Sequence, residues 1–100
     1  MMNITPEEVK QRMDNGETLN LLDVREAAET AEFNIGGTAY PLGRIQVMDT
    51  DEIENLKEEE IICYCRSGNR SMMACLFLEQ QGFTNVKNMT GGVLAWQEKF

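Results

Sequence analysis

No histidine occurs in this sequence, and only nine lysine and arginine residues accompany seventeen aspartate and glutamate residues. The absence of histidine excludes an imidazole as general base or metal ligand. The net charge of −8 disfavours binding to nucleic acid or to anionic membrane surfaces, because both are polyanions. We therefore expect no nucleic-acid partner and no membrane partner.

Long apolar runs are also missing. No segment approaches the roughly 20 residues of a membrane span, and the opening stretch MMNITPEEVK lacks the apolar core of a secretory signal. These features predict a cytoplasmic protein. Only three cysteines are present, so at least one is unpaired, and a disulfide framework is not expected.

Cysteine is too sparse for a structural metal site. A tetrahedral zinc site needs about four ligands in paired spacing, which Cys63-x-Cys65 without histidine does not supply. We expect neither a metal nor a cofactor. Cys63 and Cys75 are predicted to fill the core, although a resolving role for Cys63 after oxidation stays open. The methionines, Met72 and Met73 among them, are also predicted to fill the core.

The composition, with 42% hydrophobic and 26% charged residues, is typical of a globular protein. The length predicts one α/β domain that spans residues 1–100. Thr5, Pro6 and Glu8 form the capping pattern of a helix that ends near Gly16. Strands are predicted at 18–24, 38–40, 61–65 and 85–89, and further helices at 25–33, 49–57, 69–81 and 91–100. This alternation predicts a parallel sheet covered by helices on both faces.

The stretch CRSGNR, residues 65–70, joins a predicted buried strand to helix 69–81. That helix is predicted from the spacing of Met73, Leu76, Phe77 and Gln80. Ligands bind at this edge of an open parallel sheet, and the start of a helix directs several backbone amides to one spot. A thiol there is expected to have its pKa lowered from about 8.5 to roughly 4–7. The guanidinium groups of Arg66 and Arg70 act in the same direction.

Two segments resemble the signatures of the rhodanese family. LLDVREAAETAEF, with Asp23, Arg25 and Glu32, is similar to the Asp-x-Arg signature of that family. YCRSGNRSMMACLFLEQQGFTNVKNMTGGVLAW is similar to its active-site signature and to the closing GG..AW. The resemblance runs the length of the chain and implies a five-stranded parallel sheet flanked by helices on both faces.

The resemblance also implies roles for individual residues. Cys65 would be the nucleophile that carries sulfur as a persulfide. The persulfide and its donor, thiosulfate for example, would be bound by the loop residues Arg66, Ser67, Gly68, Asn69 and Arg70. Asp23 and Arg25 could be catalytic, but we favour a structural ion pair near the loop. From its place after Gly91-Gly92, Trp96 is expected to pack the last helix onto the sheet.

Loop length separates sulfur-transferring members from the related cell-cycle phosphatases. The sulfurtransferases have six loop residues and the phosphatases seven, and Cys65 to Arg70 makes six. We therefore favour a thiosulfate-sulfurtransferase-like enzyme over a phosphatase or arsenate reductase that uses the same thiolate. A non-catalytic regulatory or partner-binding module is the other alternative, although such versions usually lack the cysteine.

The chain departs from the family at Asn34-Ile35-Gly36-Gly37, where many members carry GHI.GA. The missing histidine is chemically acceptable, because an ionised thiolate needs no base and a sulfite leaving group needs no proton. The NIGG form resembles rhodanese domains attached to enzymes that adenylate sulfur-carrier proteins. A sulfur-carrier protein or its adenylating enzyme is thus a candidate partner, beside a small-molecule sulfur donor and acceptor.

Overall fold

Five short parallel strands form one sheet in the computed structural model, which describes residues 1–100. The strands are β1 (Met2–Ile4), β2 (Leu21–Asp23), β3 (Thr38–Ala39), β4 (Glu60–Tyr64) and β5 (Asn85–Met89). Their order across the sheet is β1-β5-β4-β2-β3, with every neighbouring pair parallel. This arrangement confirms the predicted five-stranded α/β fold and places β4 at the centre of the sheet.

Helices cover both faces of the sheet. They are α1 (Pro6–Asp14), α2 (Ala27–Glu32), α3 (Leu42–Gln46), a 3₁₀ helix (Asp51–Leu56), α4 (Asn69–Gln80) and α5 (Gly92–Lys99). One buried cluster joins the sheet to α3 and α4, and a second joins it to α1 and α5, where Trp96 is buried. None of these helices has the length and apolarity needed to cross a membrane.

The predicted capping pattern is present at the start of α1. The hydroxyl oxygen of Thr5 accepts a hydrogen bond from the backbone N–H of Glu8 at 3.1 Å, and the Glu8 carboxylate accepts one from the N–H of Thr5 at 3.3 Å. Pro6 occupies the first turn, where its missing N–H costs nothing. The helix ends at Asp14, just before the predicted stop near Gly16.

Two elements, β1 and α3, are missing from the sequence-based prediction. β1 has three residues, two of them exposed, and pairs only with β5 at the sheet edge. α3 has five residues. Neither segment is long enough to show a recognisable hydrophobic period.

The prediction that Met72 and Met73 fill the core is wrong, because α4 buries a different stripe. Its fully buried residues are Ser71, Ala74, Cys75 and Leu78. Met72 and Met73 lie on the outer side, 41% and 42% exposed, and Leu76 is 47% exposed. Of the positions used to predict this helix, Met73, Leu76 and Gln80 therefore lie on its outer face, and only Phe77 packs against the core. Small residues make up much of the inner face.

Gly37 lies against the buried ring of Tyr64, the last residue of β4. A Cβ atom at position 37 would be 2.6 Å from the Tyr64 hydroxyl oxygen and 2.7 Å from Cε1. Tyr64 is fully buried, so its ring cannot turn out into solvent without loss of packing. The second glycine of the NIGG segment is therefore required by the tyrosine that precedes Cys65.

We expect Gly37→Ala to lower the free energy of unfolding by about 1–3 kcal/mol, because the added methyl overpacks this contact. Urea unfolding followed by circular dichroism measures the change. Gly43→Ala is the matched control, since a Cβ at position 43 has no neighbour within 4 Å and alanine favours the helix there. Equal stabilities for the two variants would contradict the packing argument.

Candidate active site

The loop between β4 and α4 encloses the sulfur atom of Cys65. Cys65 directly follows β4 and is only 1% exposed. Gly68 adopts a left-handed backbone conformation with φ of 107° and caps the start of α4. This turn directs the following amides back toward the end of the strand, as predicted for the loop.

Three hydrogen-bonding groups contact the sulfur. The backbone N–H of Gly68 donates to Sγ at 3.1 Å, and the N–H of Ser71 donates at 3.4 Å. The hydroxyl oxygen of Ser71 lies 3.4 Å from Sγ. These donors stabilise an anion at this position better than a neutral thiol.

The pKa of Cys65 lies below its usual value as a result. Burial raises the pKa, but the Ser71 hydroxyl and the backbone amides of Ser71, Gly68 and Ser67 together outweigh it. The neighbouring Cys63 shows the opposite effect, because its hydrogen bond to Cys75 and its burial raise its pKa well above normal. Cys63 and Cys75 are both fully buried, which confirms that they fill the core.

Ser71 is held in place by β5. Its hydroxyl contacts Oδ1 of Asn88 and the carbonyl oxygen of Gly68, the latter at 3.2 Å, and the Asn88 side-chain amide also donates to that carbonyl at 3.3 Å. Because a hydroxyl has one proton, the Cys65 thiolate competes with these two oxygens for it. Sequence reasoning missed both residues. Ser71 directly follows Arg70 and could have been noticed, whereas Asn88 reaches the loop only through the sheet.

The two arginines of the loop have different surroundings. Arg70 forms a two-pronged ion pair with Glu29 of α2, at 2.7 and 3.0 Å. These bonds hold the pKa of Glu29 at about 2. The pKa of Arg70 is raised mainly by Glu29, with a smaller contribution from the charge of Cys65. Arg66 is exposed, and its side chain forms no ion pair or hydrogen bond. Arg66 therefore provides the uncompensated positive charge beside the loop.

Asp23 and Arg25 form a buried ion pair at the end of β2. Nε and one terminal nitrogen of Arg25 donate to the two carboxylate oxygens of Asp23 at 2.9 and 2.7 Å. Arg25 also donates to the carbonyl oxygen of Phe33, which follows α2. The pair thus ties the end of β2 to the end of α2 next to the loop.

The Gly91-Gly92 pair brings α5 against the backbone of the loop. The N–H groups of Val93 and Leu94 donate to the carbonyl oxygens of Cys65 and Arg66 at 2.9 and 3.0 Å. A Cβ atom on Gly92 would lie 2.4 Å from the Cys65 carbonyl oxygen. Only glycine permits this approach, which explains the position of the glycines in the closing motif.

A cavity of about 570 Å³ opens beside the loop. Its walls come from α2, α5, Arg25 and Arg66, and the lining residues are Arg25, Glu29, Glu32, Phe33, Arg66, Val93, Leu94 and Gln97. Ser67 and Asn69, two further predicted site residues, are exposed on the loop beside it. No three acidic or cysteine side chains are grouped as metal ligands would be.

A buried cysteine held by amides at the start of a helix, at the carboxyl edge of a parallel sheet, defines an α/β domain built around a thiolate. Comparison with known proteins identifies the family to which this domain belongs. The family model described as rhodanese-like domain matches residues 5–99, and the chain belongs to this family.

Individual relatives agree with the family match. The chain is 37% identical over 94 residues to a protein of Allochromatium vinosum named sulfurtransferase, covering 93% of this chain and 85% of that protein. It is 39% identical over 97 residues to YrkF of Bacillus subtilis, named as a candidate sulfur carrier protein, covering 96% of this chain but only 51% of YrkF. The crystal structure of a rhodanese-like domain protein from Staphylococcus aureus superimposes with a TM-score of 0.83 at 29% identity, over 96% of this chain and 91% of that one.

We expect Ser71→Ala to raise the pKa of Cys65, because it removes the hydroxyl that stabilises the thiolate. The alkylation rate of Cys65 by iodoacetamide, measured from pH 5 to 9, should fall several-fold at acidic pH and recover at alkaline pH. Ser67→Ala is the matched control, since Ser67 acts through its backbone amide, and it should leave the profile unchanged. Identical profiles for both variants would exclude a role for the Ser71 hydroxyl.

Proposed function

We propose that this protein is a sulfurtransferase in which Cys65 takes a sulfane sulfur from a donor, thiosulfate for example, and passes it to a thiophilic acceptor. One observation carries the proposal: the sulfur of Cys65 is surrounded by the donors of Gly68 and Ser71, which favour an anion. Membership of the rhodanese-like family and a relative named sulfurtransferase support it.

The chemistry requires no further catalytic group. The Cys65 thiolate attacks the sulfane sulfur of thiosulfate, a new S–S bond forms, and the old one breaks to release sulfite. The charge moves from Sγ to the outer sulfur of the persulfide, which the loop amides can bind in turn. Because the lowered pKa of Cys65 favours the thiolate and sulfite leaves unprotonated, the lack of histidine is no obstacle.

The same geometry argues against phosphate ester hydrolysis. The loop has no free cation inside it, because Arg70 is engaged by Glu29. A phosphoryl group would bring three charged oxygens to a space that is lined by few amides. A purely regulatory module is also less well supported, because such a module has no use for a thiolate held by these donors.

The acceptor we propose is a small thiophilic molecule or a sulfur-carrier protein. Similarity to YrkF, named as a candidate sulfur carrier protein, supports the second choice. The likeness of the NIGG segment to domains of carrier-adenylating enzymes supports it as well, and such an enzyme is a further candidate partner. This chain spans about half the length of YrkF.

Incubation with thiosulfate should add the mass of one sulfur atom to the peptide containing Cys65, and cyanide should remove it as thiocyanate. Peptide mass spectrometry and a thiocyanate assay measure the two steps. Cys65→Ser should abolish both, because a hydroxyl is a far weaker nucleophile toward sulfur. Cys63→Ala and Cys75→Ala are the matched controls and should retain both steps.

Sulfur found on Cys63 or Cys75, or turnover by Cys65→Ser, would refute the mechanism. The same preparation should not hydrolyse an aryl phosphate at a rate above that of the Cys65→Ser variant. Efficient phosphatase activity without persulfide formation would instead support the phosphatase alternative.

Arg66→Ala should raise the KM for thiosulfate by about threefold at low salt, since an exposed charge pair contributes little more than this. Steady-state kinetics at two ionic strengths measures the effect, which should shrink at high salt. Arg66→Lys keeps the charge and should retain most of the wild-type KM. Arg70→Ala should instead lower kcat, because it frees the loop from α2. An unchanged KM in Arg66→Ala at low salt would exclude donor attraction by this residue.

A further inference from the structure

Asn88 of β5 connects the sheet to the loop around Cys65. The residue is only 6% exposed, and its Cα is paired with that of Cys63 of β4 in the sheet register. Both polar atoms of its side chain contact the loop. Oδ1 lies 2.5 Å from the hydroxyl oxygen of Ser71, and the amide nitrogen donates to the carbonyl oxygen of Gly68 at 3.3 Å. No hydrogen bond joins Asn88 to the sulfur itself, so any effect of Asn88 on Cys65 passes through these neighbours.

The orientation of the Asn88 amide is fixed by the carbonyl group of Gly68. A carbonyl oxygen only accepts hydrogen bonds, so the NH₂ group must face it and Oδ1 must face Ser71. Oδ1 carries no proton, and two oxygen atoms 2.5 Å apart repel each other unless a proton lies between them. The hydroxyl proton of Ser71 is therefore directed to Asn88 when Cys65 is a neutral thiol.

Ionisation of Cys65 changes this arrangement. Sγ lies 3.4 Å from the Ser71 oxygen, farther away than Oδ1 of Asn88, but a thiolate is a charged acceptor and attracts the hydroxyl more strongly than an amide oxygen does. When the hydroxyl turns to Sγ, Oδ1 of Asn88 loses its donor in a buried position, which costs free energy. Asn88 therefore acts against the thiolate, whereas the Ser71 hydroxyl acts in its favour.

Sulfur loading removes the charge from Sγ. The Cys65 thiolate forms an S–S bond with the sulfane sulfur of thiosulfate, the electron pair of the broken bond leaves with sulfite, and the negative charge ends on the outer sulfur. No proton, oxidant or reductant is consumed. Sγ is then a neutral divalent sulfur, which is a weak acceptor. The Ser71 hydroxyl can then turn back to Asn88, and its proton stays on the same oxygen throughout.

We propose that Asn88 is a positioning residue that takes back the Ser71 hydrogen bond when Cys65 is loaded with sulfur, and that it thereby shifts the loading equilibrium from thiolate toward persulfide. This inference rests on the proposed sulfurtransferase function and adds a residue that acts through Ser71. Without Asn88, the thiolate holds the hydroxyl at no cost to a buried acceptor. The unloaded state is then stabilised, whereas the loaded state is not.

A neutral substitution at position 88 leaves the charges around Cys65 in place. The charged and titratable groups that the surrounding elements present near the loop are Asp23 and Arg25 of β2, Glu29 and Glu32 of α2, Cys63 of β4, Arg66 of the loop, and Arg70 and Cys75 of α4. The first turn of α5 carries no charged residue, and Lys87 of β5 is paired with Glu60, the first residue of β4. A change in the titration of Cys65 therefore reports hydrogen bonding or loop geometry.

The test replaces Asn88 by leucine, which has a similar volume and neither donor nor acceptor. The profile of Cys65 alkylation by iodoacetamide between pH 5 and 9 should move to lower pH. The thiolate fraction at acidic pH should rise about fivefold, the equivalent of one neutral hydrogen bond. At pH 9, in mixtures of thiosulfate and sulfite, intact mass spectrometry should show the ratio of loaded to unloaded protein falling by a similar factor. A role limited to supporting the loop would move the titration the other way, because displaced amides stabilise the thiolate less.

Two comparisons isolate the hydrogen bond. Asn85→Leu makes the same substitution at an exposed position of β5, and both measurements should match those of the wild-type protein. In a Ser71→Ala background, Asn88→Leu should change neither measurement, because the hydroxyl on which Asn88 acts is gone. Asn88→Ala removes the same two polar groups without the bulk of leucine, and it takes the place of the leucine variant if that protein does not fold.

An alkylation profile of Cys65 that is unchanged or moved to higher pH in the Asn88 variants would overturn the proposal. An effect of the same size in the Ser71→Ala background would overturn it as well. Both results leave the sulfurtransferase function intact as long as thiosulfate loads Cys65 of the wild-type protein. That function, and with it the loading step proposed here, fails if no persulfide forms on wild-type Cys65.

Discussion

The stabilisation of one buried anion by backbone amides is the interaction on which the rest of this structure depends. Burial alone would raise the pKa of the Cys65 thiol, and it is the Ser71 hydroxyl, with the N–H groups of Ser71 and Gly68, that brings this pKa below its ordinary value. Amides held by the backbone keep their orientation, so they stabilise a thiolate without rearrangement. The sheet, the start of α4 and the glycines of the closing motif all serve to fix these amides.

The fold gives the three cysteines different surroundings. Cys63 lies on the same face of the sheet as Cys65, yet its pKa is raised because it faces Cys75 and not a helix start. A cysteine within β4 therefore fills the core, whereas one that directly follows this strand lies among groups that lower its pKa. Position relative to the carboxyl edge of the sheet, and not residue type, decides this difference.

The ion pairs at the cavity wall determine which charged side chains remain free to bind a ligand. Asp23 neutralises Arg25 and Glu29 neutralises Arg70, and these pairs connect α2 to β2 and to the loop. Arg66 and Glu32 carry opposite charges and have no partner within the chain. In a protein with a net charge of −8, the free positive charge of Arg66 beside Cys65 is a local exception to the overall repulsion of anions.

Local patterns in the sequence were sufficient for the capping of α1, the helix after the loop, the central strand β4 and the place of Cys65 between that strand and that helix. These features depend on residues close together in the chain, whose spacing reports backbone preference directly. The partners of the site could not be found in this way. Glu29 and Arg70 are 41 residues apart, and Ser71 and Asn88 are 17 apart, so only the order of strands brings each pair together. The exposed face of α4 was misjudged for the same reason, because the side of a helix that is buried is chosen by the sheet against which it packs.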